Sequence, residues 1–232
     1  MASIDRRTRE KVELQEKILN AARDLFLQHG FDAVTMKKIA DAIDYTPGAL
    51  YVHFKDKRDL MLALCRNDFA ELDKQTHEML RDEPDPINRI WKLGHGYLAF
   101  AAAHPNHYKL MFMTKHPEEL TPDEEDLARM GNPDQDGYAM LIATVQEGID
   151  KGCFRPELSD AELVSQTLWA ALHGVAALQI THSNDPWCKM KPYEQRSVTM
   201  AASILRGLVR DPSVVDKLLS MTGEIPPGGS PG

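Results

Sequence analysis

Five cations crowd one short stretch of this chain. Lys37, Lys38, Lys55, Lys57 and Arg58 flank Thr46, Pro47, Gly48, Ala49 and Tyr51. Cations so placed neutralise phosphate oxygens, and the Tyr51 hydroxyl can bond to one. Gly48 and Ala49 are small enough for a backbone to approach a groove. A helix begun sharply at Thr46 and Pro47 aims its first amides outward, toward an anion. This chemistry is recognition of a polyanion, not bond-making. Other motifs are weaker. His104-x-x-His107 has a metal-like spacing, but Pro105 stands between and no third ligand completes it. Asn132 to Gly137 imitates the start of a calcium loop, yet Ala143 occupies the place of the bidentate Glu and Pro133 disturbs the turn. There is no nucleophile elbow, no Gly-rich phosphate loop and no zinc-protease spacing. No metal, no cofactor and no catalysis are expected.

A second set of residues is softer. Tyr97, Phe100, Tyr108, Met111, Phe112 and Trp169 are aromatic or polarizable side chains on neighbouring helical segments. A helical core needs such residues, and so does an adaptable pocket for a hydrophobic small molecule. His173 lies in a mostly apolar helix and His104 at a helix junction. Either can offer a polar contact, because imidazole donates or accepts.

The elements that must position these residues read as helical almost throughout. Leu14, Ile18, Ala22, Leu25 and Phe26 repeat at helix spacing, and His29-Gly30 is a stop. Thr35 opens a second helix that turns Met36, Ile39 and Ala40 inward. A break at Ile43-Asp44-Tyr45 precedes a third helix over 46–54, and Asp56 with Asp59 opens a fourth that fades near Leu80. The pair over 35–54 is a helix-turn-helix, whose second helix lies in the DNA major groove. The Pro-rich breaker over 81–86 marks a joint. Further helices are expected over 86–103, 105–114, 122–150, 159–182 and 190–210. The expected organisation is a helix-turn-helix DNA-binding domain over 1–80, a helical effector-binding and dimerisation domain over 81–213, and a disordered tail over 214–232.

At these residues the chain resembles the TetR family of bacterial transcriptional regulators. AARDLFLQHGFDAVTM, KKIADAI and TPGALYVHFKDKRDLM carry the likeness, above all Gly48, Leu50, Tyr51, His53, Phe54, Lys55 and Lys57. The turn departs from the family's usual Ala-Gly-Val-Ser. Downstream, LWAALHGVAAL with Trp169, His173 and Gly174 resembles the Trp-His-Gly subgroup. The resemblance implies an all-α fold, with a three-helix helix-turn-helix domain joined to a larger ligand-binding and dimerisation domain. It implies DNA contacts from Thr35, Lys37, Thr46, Pro47, Gly48, Ala49, Tyr51, His53 and Lys57. In that larger domain effector contacts are expected, by residue type, from Tyr97, Phe100, His104, Tyr108, Met111, Phe112, Trp169 and His173. The expected protein is a homodimeric repressor that reads a near-palindromic site in double-stranded DNA and is released by a small hydrophobic effector.

Composition agrees. The 232 residues are 43% hydrophobic and 27% charged, an ordinary globular balance. The net charge of -8 is uneven: residues 1–60 carry about +1 by count, leaving the acidity to the rest. Three scattered cysteines, no apolar leader and no membrane-length apolar run point to the cytoplasm, with no membrane partner. Two rival classes remain at this level. An architectural DNA-binding protein would show little preference for a palindrome. An enzyme on a helical scaffold would need a nucleophile–base pair.

Overall fold

A computed structural model describes residues 2–80, 82–115, 117 and 120–222. Among them every regular element is helical, apart from one isolated bridge between Phe154 and Val209. The helices are α1 (Ala2–His29), α2 (Met36–Ala42), α3 (Pro47–Tyr51), α4 (Lys57–Leu80), α5 (Pro86–Ala103), α6 (Pro105–Tyr108), α7 (Glu124–Arg129), α8 (Gly137–Asp150), α9 (Ala161–His182), α10 (Tyr193–Leu208) and α11 (Ser213–Thr222). A π-helical turn over Lys109–Met113 continues α6.

The chain divides into two compact units. The first is residues 1–71 with 106–121; the second is residues 72–105 with 122–232. The joint expected at 81–86 is a real helix break, but the division by contacts falls inside α4, after Glu71. Residues 106–121 return to the first unit because Leu110 is fully buried in its core with Ile18, Phe26, Ile39, Leu50 and Leu64.

Local chemistry sets the boundaries of the first unit. Gly30 ends α1 with a φ of 79°, a conformation costly for any residue with a Cβ, and its amide bonds to the Phe26 carbonyl at 2.9 Å. Thr35 caps α2, its Oγ1 accepting from the Lys38 amide at 3.2 Å. Asp44 takes a φ of 59° in the turn. Asp is among the few non-glycine residues that adopt this conformation at small cost, so the turn survives without the usual glycine. Before α4, Asp56 accepts from the Asp59 amide and Asp59 accepts from the Lys55 amide, both at 2.8 Å.

The second unit packs around Trp91, Val145, Phe154, Val164, Leu168, Leu205 and Val215. Two expectations are corrected here. The single helix over 122–150 is two helices. Gly131 has a φ of 78°, Pro133 has no amide to donate, and Asp136 starts a new helix by accepting from the Tyr138 and Ala139 amides. The tail over 214–232 is helical to Thr222. Val215, Leu218 and Leu219 recur at helix spacing and are buried, while Asp211 holds the Ser213 amide at 3.0 Å. The remainder of that tail, 223–232, lies outside the described residues.

Candidate nucleic-acid interface and effector region

Leu50 is fully buried and anchors α3 to α2 against Ile39 and Ala40. The rest of α3 faces away from the core. Tyr51 is 55% exposed and Val52 73%, and Thr46, Gly48 and Tyr45 are exposed as well. Thr46 starts the helix without using its side chain as a cap. Its hydroxyl is therefore not committed to the helix it opens. A Cβ added at Gly48 would meet only Thr46 Oγ1, at 3.8 Å, and Gly48 does not have a positive φ. Neither packing nor backbone strain asks for glycine there.

The expected contact residues separate into those that face outward and those that do not. Thr46, Gly48, Tyr51 and Lys37 are exposed, with Pro47 and Ala49 half-buried between them. Thr35 is exposed, but its hydroxyl caps α2. His53 is half-buried, and burial with the nearby Lys11 charge holds its imidazole below the usual histidine range. Lys57 differs most. Its ammonium donates to the Phe31 carbonyl at 2.7 Å and the Val34 carbonyl at 2.9 Å, and lies 4.1 Å from the Phe31 ring centroid. Those bonds tie α4 to the loop before α2. A phosphate contact from Lys57 would have to give them up, whereas Lys37 makes no such bond among the described residues.

A network that sequence reasoning did not anticipate lies behind this surface. Arg23 on α1 and Asp68 on α4 are both buried and paired through two bonds, 2.6 Å and 3.1 Å. Asn20 accepts from the other Arg23 amino group at 2.7 Å, and His107 Nδ1 lies 3.1 Å from Asp68 Oδ1. Burial pushes the Asp68 carboxyl up, but His107 and Arg23 outweigh it and hold the group below the usual carboxylate range. The partners are 45 residues apart. No local spacing reveals such a pair; a charged residue on each otherwise apolar face was the only trace.

The expected effector residues do not form one set. Tyr108, Met111 and Phe112 belong to the first unit, where Tyr108 is fully buried and packs at a tilt against Phe112, with ring centroids 4.9 Å apart. Tyr97, Phe100, His104, Trp169 and His173 belong to the second. Three of these are brought together. Trp169 Nε1 donates to the Tyr97 hydroxyl at 2.9 Å, and that hydroxyl lies 3.4 Å from His173 Nδ1. In this relay the Tyr97 hydroxyl joins the two rings, and His173 Nδ1 accepts or donates according to its tautomer. Burial holds His173 below the usual histidine range, which favours a neutral imidazole. Phe100 is fully buried and packs on His104, whose backbone closes α5. None of the expected residues lines the cleft of about 560 Å³ that opens elsewhere in this unit. That cleft involves His77, Arg89, Asp134 and Glu147.

The family model for bacterial regulatory proteins of the tetR family matches residues 18–64. The model for the tetracyclin repressor-like C-terminal domain matches residues 90–184. The HTH-type transcriptional repressor KstR2 of Mycolicibacterium smegmatis is 26% identical over 163 residues, 68% of this chain and 77% of that one. Among solved structures, a TetR family transcription regulator from Marinobacter aquaeolei superposes with a TM-score of 0.69 at 18% identity, covering 88% of this chain and 98% of that chain. The SmeT–triclosan complex superposes with a TM-score of 0.62 at 20% identity, covering 94% and 97%.

Proposed function

The chain belongs to the tetR family of bacterial regulatory proteins, and from that premise we propose that it is a homodimeric repressor that leaves its operator when a small hydrophobic molecule binds its second unit. It is a DNA-binding transcriptional regulator and not an enzyme. The observation that carries the DNA half is Gly48, a glycine at the start of α3 that nothing inside the molecule requires. With the exposed Thr46, Tyr51 and Lys37, and with Pro47 and Ala49, it forms the groove-facing surface. Thr35, His53 and Lys57 support that surface from behind, Lys57 through its two carbonyl bonds.

The effector reading rests on the Tyr97–Trp169–His173 relay, with Phe100 and His104 beside it along α5. Trp169 and His173, with Gly174, are also the residues of the Trp-His-Gly subgroup, so the relay gives that motif a physical task. Tyr108, Met111 and Phe112 join the proposal as residues of the first unit that change packing with the ligand, not as its walls. A solved complex named for triclosan and a relative named as a repressor support the same direction. The mechanism is a population shift. The effector favours a geometry in which two recognition helices no longer fit adjacent major grooves.

Dimerisation is supported by α9. It is 22 residues long and apolar enough in composition for a membrane span. Its exposed face carries Leu163, Ala170, Gly174 and Leu178. A cytoplasmic site of action, with a second copy covering that face, completes the proposal. Selection of bound DNA from a random pool, followed by anisotropy titration, tests the whole. A near-palindromic sequence bound at least 10³-fold more tightly than bulk DNA is expected, on the order of the ratio for specific regulators. Equal affinity for all sequences would leave no operator to be released from.

A further inference from the structure

The groove-facing surface has a neighbour that the helix-turn-helix does not supply. α1 is one continuous helix from Ala2 to His29, yet its early part lies outside the core. Ile18 is its first fully buried residue among those described, and Leu14, one turn earlier, is half-buried against the same cluster. From Thr8 to Glu13 every residue is exposed. Tertiary packing therefore adds little to this stretch. The match to the family's DNA-binding model begins at residue 18, so the family likeness gives the stretch no task.

Lys11 stands on it. Residues seven apart share a helix face, so Lys11 continues the line of Leu14 and Ile18 outward. Ile18 packs in the cluster that holds Leu50 on α3 and Phe54 just after it. About 10 Å further along the axis, at about 1.5 Å per residue, the same face has run past that core. There the Lys11 charge acts on His53, two residues past Tyr51. His53 is half-buried, and its Nδ1 is buried with no hydrogen-bond partner among the described residues. Lys11 is not committed to an acid. Glu10 pairs with Arg6 at 2.7 Å, no carboxylate stands three or four residues from Lys11 in either direction, and Lys11 makes no ion pair among the described residues. Lys57 is the contrast, since two carbonyls hold its ammonium. An ammonium and an imidazole set side by side beside an exposed recognition helix fit one kind of partner, an anion with oxygens to accept from both.

We propose that Lys11 is a DNA contact from outside the helix-turn-helix: its ammonium, with His53 beside it, holds a backbone phosphate at the edge of the groove that α3 reads. The inference rests on the placement of α3 in the major groove and is independent of the effector. Anisotropy titrations of the full chain, on the selected operator and on an unrelated duplex, test it across a range of salt. Lys11→Ala should flatten the slope of log affinity against log salt by about 0.9, the value for one phosphate. At about 0.1 M salt that slope corresponds to a loss of about eightfold. Both duplexes should lose alike, because a phosphate carries no sequence information. Lys17→Ala removes the same charge from another exposed position on α1, on a different face, and should leave the slope unchanged. Thermal melts without DNA should coincide for both variants and wild type, as neither side chain is in the core. Lys11→Ala should also raise the His53 titration midpoint by NMR in the DNA-free protein, since a nearby positive charge disfavours the imidazolium. An unchanged slope for Lys11→Ala would overturn the proposal. Equal flattening by Lys11→Ala and Lys17→Ala would overturn it too, in favour of diffuse attraction, and so would a loss confined to the operator. A wild-type protein that binds every duplex alike would instead overturn the operator reading, and the Lys11 slope would still be measured on those duplexes.

Discussion

Gly48 shows how a single residue separates what the fold needs from what the function needs. Glycine near a helix start loses more backbone entropy than alanine does. A methyl group there would reach nothing closer than 3.8 Å. Gly48→Ala should therefore stabilise the first unit by about 0.5–1 kcal/mol. The same methyl group would stand between α3 and the groove floor, so operator binding should weaken by about 1–3 kcal/mol. Thermal melts and anisotropy titrations on one preparation check both signs. Loss of stability would mean that glycine serves the fold after all. Asp73 poses the opposite case, a residue whose cost is internal. Its carboxyl is pushed up to about 6 from an ordinary 3.8, so the folded chain prefers the proton. No penalty exists below about pH 4. It grows between pH 4 and 6 and stays constant above. The full shift corresponds to about 3 kcal/mol, which partial exposure reduces to about 1–2. Asp73→Asn keeps an acceptor for the Gly137 amide and removes the charge. It should raise stability at pH 8 by that amount and leave it unchanged at pH 4. Urea melts across this range decide, and an equal gain at every pH would point to packing instead.

At the scale of elements, α1 and α4 are joined by charge as well as by apolar packing. Arg23 and Asp68 are 3% and 0% exposed. Such a pair adds little to net stability while whole, because desolvation offsets attraction. Removing one partner is another matter. Arg23→Met should cost about 3–5 kcal/mol by leaving the Asp68 charge buried, while Arg23→Met with Asp68→Leu should recover most of that loss. A double variant no more stable than the single would show that the pair organises the fold rather than balancing a charge. The network also marks the limit of what the sequence discloses. Local signals were legible: Thr35 as a cap, Gly30 as a stop, Asp44 in a left-handed turn, and the 86–103 span of α5 after the proline-rich break. They depend on neighbours three or four residues away. The break after α7 is hidden because the apolar periodicity of 122–150 outweighs Gly131 and Pro133. The last helix is hidden because Val215 and Leu218 lie close to the Pro/Gly-rich end. Nothing in the neighbourhood of Lys57 shows that the Phe31 and Val34 carbonyls, more than twenty residues back, receive its ammonium. The effector set was drawn from residue types alone. Type does not tell which unit will hold a side chain, and Tyr108 and Met111, both buried, belong to the first.

For the whole molecule, the central matter is what covers α9. One side of this helix is committed, since Val164, Leu168, Val175 and Ala176 are buried in the second unit. The other side is unusually apolar for a free surface, with Leu163 59% and Leu178 46% exposed. Between them lie Ala170 and Gly174, and on α10 lies Gly207. A Cβ at either glycine would meet nothing within 4 Å. Small residues at that spacing let two helices approach closely, and α10 adds the exposed Met200 to the same kind of surface. A two-fold axis would place each patch against its own copy. The expected wild-type protein is thus a dimer at micromolar concentration. Ala170→Arg combined with Gly174→Arg brings like charges together across such an axis and should yield a monomer by light scattering. The core of the first unit is separate, so the recognition helix should remain folded, as judged by its amide exchange. Affinity for a single half-site should then be unchanged. Affinity for the full palindrome should fall by at least about 10², because the second head no longer binds at the effective concentration set by the first. A variant that stays dimeric would move the interface off α9. A monomer that still binds the palindrome as tightly as wild type would show that the two heads never acted together.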